Sequence, residues 1–261
     1  SKEFRWSLST SVSKTFNRIE TKPSTDQYKV DNFLNGTVIT KGHPVNTFFS
    51  YRFKGLSPVD GGPLFYDYKE NPERLYGKSL HDVYTTILEA SGSREPKLSG
   101  GINNTFTYKN FRLNMTLAYS LGVKTRLFKL FDNQKFNPER NVNRDFLNRW
   151  QRPGDERYTD IPVIINGGNL SYDSHWSSSS YYRGLIPELG GSAWDMYNYS
   201  NIRVVSANYL KCSTMSLTYS FSEELISKWK LQRLELSVHR LFLQTERTNP
   251  DSGRLYRYPI V

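Results

Sequence analysis

Residues 98–123 read LSGGINNTFTYKNFRLNMTLAYSLGV, and they decide the fold. Before Lys109-Asn110, the residues Leu98, Gly100, Ile102, Asn104, Phe106 and Tyr108 alternate with Ser99, Gly101, Asn103, Thr105 and Thr107. After it, Phe111, Leu113, Met115, Leu117, Tyr119, Leu121 and Val123 alternate with Arg112, Asn114, Thr116, Ala118, Ser120, Gly122 and Lys124. Period two of this length is the signature of strands with one apolar and one polar face. A turn at Lys109-Asn110 predicts a register in which Tyr108 faces Phe111, Phe106 faces Leu113, Ile102 faces Leu117 and Gly100 faces Tyr119. Apolar then meets apolar along the whole hairpin, as a true register requires. Asn104 is the one polar residue on the apolar face, and Lys109 is a poor residue for a tight primed turn.

The alternation from Phe111 to Val123 outlasts the roughly five or six residues of an ordinary strand. A tilted strand crossing a bilayer needs about nine to eleven. Phe106, Tyr108 and Phe111 flank the turn, where an interfacial aromatic girdle would place them.

Composition bounds the alternatives. The 261 residues are 37% hydrophobic but 15% aromatic, with 18 Tyr and 15 Phe, which suits β-structure with faces of unlike polarity better than a compact α/β core. No uninterrupted apolar run approaches the length of a transmembrane helix, whereas a barrel gives a weak signal per segment and stays open. The net charge of +10 comes from scattered Lys and Arg without a basic cluster, which argues against nucleic acid as a partner. A single cysteine, Cys212, excludes an internal disulfide. The chain opens on a strand-like pattern without a signal-peptide pattern, so a mature fragment is expected.

Outward from the hairpin, Phe4, Trp6, Leu8, Val12 and Phe16 alternate with hydroxyl-rich positions and predict a long strand. Phe49, Tyr51 and Phe53 predict a third. Met215, Leu217, Tyr219 and Phe221 predict a strand over 206–221, and Leu234, Leu236 and Val238 another. Residues 19–45 read as polar and irregular, and 55–95 as a long connection with a short helix over 81–90. Residues 125–205 read as a longer irregular region with helical character over 140–150. A loop of that size inside a compact domain is unusual unless it is functional, but barrels with short turns on one side and long loops on the other use such loops. Residues 222–229 read as a turn capped by Ser222.

Several local patterns, in order, resemble the C-terminal part of a SusC/RagA-like TonB-dependent transporter of the Bacteroidetes outer membrane. They are Phe53-Lys54-Gly55-Leu56-Ser57-Pro58 with Gly61-Gly62-Pro63-Leu64-Phe65, the Gly100-Gly101 hairpin, and Arg149-Trp150 with Pro153-Gly154-Asp155 and Asp160-Ile161-Pro162. Asn208-Tyr209-Leu210-Lys211 through Leu217-Thr218-Tyr219 follows, and then Leu241-Phe242, where Arg240 stands in place of the family's Asn.

The resemblance implies an all-β fold, a transmembrane antiparallel barrel of 22 strands around a plug, of which residues 1–261 supply about seven. Plug and TonB box lie upstream of this chain and a final strand after it. Counting back from that strand makes 109–110 and 222–229 periplasmic turns, and 56–95 and 125–205 extracellular loops. Apolar faces meet outer-membrane lipid, and Ser, Thr and Asn line the lumen. The implied function is TonB-dependent import of a large nutrient, an oligosaccharide or oligopeptide, with a SusD-like surface lipoprotein as partner.

The sites follow from the loops. Trp150, Tyr172, Trp176, Tyr181, Tyr182 and Trp194 form an aromatic-rich set on which sugar rings or peptide side chains can stack, and are the candidate ligand residues. Arg149, Trp150, Pro153, Gly154 and Asp155 read as a loop-structuring motif, because Pro-Gly-Asp is turn chemistry and Arg149 can pair with a carboxylate. Asp155, Glu156 and Asp160 lie near Arg152 and Arg157 and read as ion-paired rather than catalytic. His43, His81, His175 and His239 lack metal spacing, and no phosphate-binding or dinucleotide motif is present. No catalytic residue, metal or cofactor is expected. The competing reading is a soluble secreted β-sandwich that binds carbohydrate, with a glycosidase as a third option. A sandwich needs turn signals every 8–12 residues or so, and residues 125–205 break that rule.

Overall fold

The computed structural model describes residues 3–22, 28–66, 76–130, 143–164, 193–241, 246–248 and 255–257. In chain order the strands are Phe4–Lys14 (β1), Thr47–Ser50 (β2), Phe53–Leu56 (β3), Pro63–Phe65 (β4), Glu89–Ser93 (β5), Leu98–Tyr108 (β6), Phe111–Leu121 (β7), Lys124–Arg126 (β8), Val204–Ser206 (β9), Tyr209–Ser220 (β10), Glu235–Leu241 (β11), Glu246–Thr248 (β12) and Leu255–Arg257 (β13). Short α-helices cover Val30–Asn35 (α1), Leu80–Ile87 (α2), Ala193–Asn198 (α3) and Glu223–Ile226 (α4). The chain divides into two compact units. A sheet unit contains residues 1–16, 95–124 and 206–261, and an inserted unit contains 17–94 and 125–205.

The sheet unit is built on one five-stranded sheet in the order β1-β6-β7-β10-β11, with every neighbouring pair antiparallel. The hairpin has the register read from the sequence: Tyr108 pairs with Phe111, Phe106 with Leu113, Ile102 with Leu117 and Gly100 with Tyr119. Lys109 adopts φ 49°, the left-handed conformation that makes it a poor turn residue. β1, β6 and β7 are each 11 residues long and β10 is 12, enough for a bilayer crossing and about twice an ordinary strand. β7 stops at Leu121, short of Val123, because the Gly122 and Val123 N–H groups leave the ladder and donate to Asn208 Oδ1 (2.7 and 3.2 Å). β10 carries a bulge between Cys212 and Thr214, which keeps Met215, Leu217 and Tyr219 in step with Met115, Leu113 and Phe111. Ser222 sits at the N-cap of α4, though its side chain makes no capping bond.

The sheet holds five strands, and β12 pairs with β13 apart from it. Among the described residues the sheet does not close on itself. The predicted third strand over Phe49, Tyr51 and Phe53 is not part of it. Phe49 falls on β2 and Phe53 on β3, two short strands of the inserted unit, while Tyr51 lies between them and bridges Ser200. All four residues of β2 are buried, Ser50 as fully as Phe49, so no polar face exists there. A short strand buried on both sides carries the same apolar letters as a half-buried one, which is why the sequence misleads.

The inserted unit replaces the predicted irregular stretches with a shared core. Phe33, Phe49, Tyr51, Tyr84, Trp194 and Tyr197 are buried together. Phe33 meets Phe49 at 5.5 Å and Tyr84 at 5.1 Å between ring centroids. Burying each such ring is worth roughly 1.5–3 kcal/mol, so residues far apart in sequence hold one another without long secondary structure. Helix α2 forms where expected, capped by Ser79, whose Oγ accepts from Asp82 N (3.2 Å). The Tyr51 backbone donates to Tyr199 O (3.1 Å) and accepts from Asn201 N (3.0 Å), tying 193–203 to the first insertion.

Candidate functional site

The sheet sorts its side chains by chemistry across all five strands. One face carries Trp6, Phe106, Leu113, Leu217 and Val238 in one row, and Phe4, Tyr108, Phe111, Tyr219 and Leu236 in the next. The other carries Ser7, Thr105, Asn114, Ser216 and His239 in register. Leu113, Met115, Leu117 and Tyr119 are none of them buried, and Trp6, Leu217 and Val238 are 57%, 44% and 65% exposed. An apolar surface this continuous marks an interaction with another apolar phase or partner.

The rows are tied by specific side-chain contacts. Asn104, the polar intruder, accepts a hydrogen bond from Trp6 Nε1 (3.2 Å), while the Trp6 ring stacks on Phe106 at 6.2 Å with planes 3° apart. Trp6 and Asn104 thus satisfy each other on the apolar face. Tyr119 lies across Gly100, where a Cβ would overlap the phenol, and its hydroxyl reaches Ser11 O (3.3 Å). At the turn end, Phe111, Tyr219 and Phe221 form a ring cluster with centroids 4.8 and 5.0 Å apart. On the polar face, Thr105 Oγ1 donates to Asn114 Oδ1 (2.9 Å), and Asn114 Nδ2 to Ser216 Oγ (3.4 Å), a hydrogen-bonded ladder across three strands.

In the inserted unit, two stretches singled out in the sequence meet. Trp150 lies against Gly61, whose φ of 69° and missing side chain leave room for the indole. Its backbone N–H donates to Ile161 O (2.9 Å) and its Nε1 to Glu156 Oε2 (3.3 Å). Asp155 Oδ2 accepts from the Gln151 and Arg152 N–H groups (3.0 and 3.1 Å), and Glu156 Oε2 accepts from Gly154 N (2.7 Å). Backbone N–H groups, those of Glu156 and Gly154, hold the Glu156 carboxyl below the usual range, and the Trp150 indole adds to this. Arg152 Nε stands 3.8 Å from Asp155 Oδ1, the expected ion pair. Arg149 NH1 instead donates to Phe146 O (3.0 Å), not to a carboxylate.

This geometry revises the candidate ligand set. Trp150 is 6% exposed and Trp194 2%, the latter with its Nε1 on Val163 O (2.9 Å). Both rings are buried within the inserted unit. Tyr172, Trp176, Tyr181 and Tyr182 lie outside the described residues, as does His175. Among the described residues no three His, Cys, Asp or Glu side chains gather as metal ligands.

Two arginines escaped the sequence reading. Arg126 donates to Leu34 O (3.1 Å), Phe49 O (3.0 Å), Ser50 Oγ (3.0 Å) and Ser200 O (3.2 Å), joining both insertions through one guanidinium. Burial lowers its pKa to about 10, so it stays protonated at neutral pH. Arg203, 5% exposed, donates to Phe128 O (2.6 Å). Scattered Arg gives no periodic signal, and only the carbonyls that converge on Arg126 reveal its part.

No family model matches the chain. The chain is similar to TonB-dependent receptor P3 of Formosa agariphila, 22% identical over 278 residues that cover 98% of this chain and 24% of the receptor. It thus spans about a quarter of the length of the curated relative it matches. Among solved structures it is similar to the RagAB peptide transporter, with TM-score 0.61, 18% identity, and 94% of this chain and 24% of that chain covered. It is also similar to the RagAB peptide importer in the closed-closed state, with TM-score 0.62, 17% identity, and the same coverage. These likenesses give the fold: the chain folds as the corresponding quarter of such a transporter does.

Proposed function

We propose that this chain is a stretch of the wall of an outer-membrane TonB-dependent transporter, with residues 56–95 and 125–205 as its extracellular loops. The observation that carries this is the two-faced sheet, whose apolar rows stay open while its polar rows hydrogen-bond among themselves. Strands 11–12 residues long and a ring cluster at the turn end support it. In this reading the apolar rows face lipid and the Thr105–Asn114–Ser216 ladder faces the lumen. The whole protein imports a large nutrient, an oligopeptide or oligosaccharide, driven through TonB acting on a plug and closed over by a SusD-like lipoprotein. The chain contributes a wall and binding surface, not catalysis.

Heat-modifiability of the full-length protein tests the reading. A folded barrel in detergent runs at a different mobility when unheated. Identical mobility before and after heating, with full solubility in detergent-free buffer, overturns it. A soluble β-sandwich is less well supported, because it would bury Leu113, Met115 and Leu117 under a second sheet.

A further inference from the structure

The polar face of the five-stranded sheet satisfies itself in some places and not in others. The Thr105–Asn114–Ser216 ladder is bonded from strand to strand, and the Thr218 and Ser237 hydroxyls share a hydrogen bond (2.9 Å). One stretch of the face stays open. Arg5, Thr107 and Arg112 stand side by side there, in register on β1, β6 and β7. Neighbouring strands lie about 4.8 Å apart, so the two arginine backbones are roughly 10 Å apart with the threonine midway.

Both arginines are exposed, and neither they nor the Thr107 hydroxyl makes a hydrogen bond or ion pair with a described residue. The acids at this end of the face are committed elsewhere. Glu3 faces Lys109 Nζ (3.8 Å), and Glu235 accepts from Arg233 Nη2 (2.7 Å) and Ser220 Oγ (2.9 Å). Two guanidiniums held on one face by a fixed register repel each other, and an anion between them removes that cost. The planar guanidinium fork matches a carboxylate and holds it by charge-assisted hydrogen bonds.

The position of the row selects the occupant. In the wall reading, on which this inference rests, the polar face looks into the lumen, and barrels of about 22 strands hold a plug there. The row borders the Lys109-Asn110 turn, at the end opposite the long loops by which cargo enters. The plug therefore meets these arginines before any cargo does.

We propose that an acidic side chain of the plug docks between Arg5 and Arg112, over the Thr107 hydroxyl, and fixes the plug to this stretch of wall.

Arg5→Lys and Arg112→Lys each keep the charge and supply a primary amine, which a water-soluble carbodiimide joins to a touching carboxylate as an amide with loss of water. The reaction is run on the full-length protein in detergent, and mass spectrometry of its peptides reads the partner. A cross-link from position 5 or 112 to an Asp or Glu of the plug is expected. Ser9→Lys, on the same face of β1 but four residues further from the turn, is expected to yield about tenfold less. Excess tetraglutamate is expected to leave the yield unchanged. Cross-links to Glu3 or Glu235 alone, no cross-link at all, or an equal yield from Ser9→Lys overturns the proposal. Loss of the cross-link to tetraglutamate assigns the row to cargo and overturns it too. Heat-modifiability of the same samples separates the two failures. A mobility shift without the cross-link removes the plug contact alone, whereas no shift in the wild type removes the wall reading and the contact with it.

Discussion

Trp150 rests on Gly61, and the fit leaves no room for a single methyl group between them. The contact joins two stretches about ninety residues apart that looked like separate motifs in the sequence. Gly61→Ala faces both a left-handed φ and the indole, so a loss of about 2 kcal/mol or more is expected in the inserted unit. Trp150→Ala is expected to cost roughly 3–5 kcal/mol. Hydrogen exchange over 146–163 reads both, and wild-type protection in Gly61→Ala would remove the clamp from the account.

The Trp6–Asn104 bond should behave as a pair. Asn104→Leu alone leaves the indole N–H unpaired on the apolar face and is expected to cost about 1–3 kcal/mol. Trp6→Phe with Asn104→Leu removes both partners, and the combined loss is expected to be less than the sum of the two single losses. A double-mutant cycle on urea unfolding in lipid vesicles measures the coupling, and strict additivity would show that the bond contributes nothing.

Neighbouring residues on opposite faces of β7 offer a sharp contrast. Leu117 pairs with Ile102 on the apolar face, and Thr116 with Asn103 on the polar one. Leu117→Lys is expected to cost roughly 2–4 kcal/mol in the membrane, and Thr116→Lys under 1. The folded fraction by heat-modifiability is the readout, and equal effects would mean the faces are not distinguished by lipid.

Arg126 binds three backbone carbonyls, and Lys cannot reproduce its planar fork. Arg126→Lys and Arg126→Met are both expected to loosen the inserted unit by about 2 kcal/mol or more, as orphaned carbonyls lose their donors. Limited proteolysis within 17–94 should accelerate while the five-stranded sheet stays protected.

The hydrogen bond from Lys22, helped by Ser79, holds the Asp82 carboxyl below the ordinary carboxylate value of about 3.9. A lowered folded pKa gives stability that is present above the unfolded value and lost as pH falls through the folded one. Protection of helix α2 is expected to decline below about pH 4 in the wild type. In Asp82→Asn that pH dependence should be flatter, and an unchanged profile would remove Asp82 from the acid response.

The register of the hairpin was legible to the residue because its information is local: period two, a two-residue turn, and like facing like in nearly every row. Asn104 stood out as an exception, though only the fold reveals Trp6 as its partner. The inserted core was not legible. Phe33, Tyr84 and Trp194 lie on separate segments with no shared period, and nothing local says that they meet. For the same reason Trp150 and Trp194 looked like ligand-stacking rings. An aromatic residue in a long loop reads alike whether it waits for a ligand or fills a core.

The inserted core also dictates an order of events during synthesis. A nascent chain that has completed β7 still lacks Trp194 and Tyr197, so Phe33, Phe49 and Tyr84 have only one another to close against. The greasy half-core must travel uncovered until residue 200 or so has emerged, a long-range closure that is slow and prone to aggregation. Holding chaperones would find their handle there, on the first insertion, rather than on the hairpin that folds from neighbouring residues.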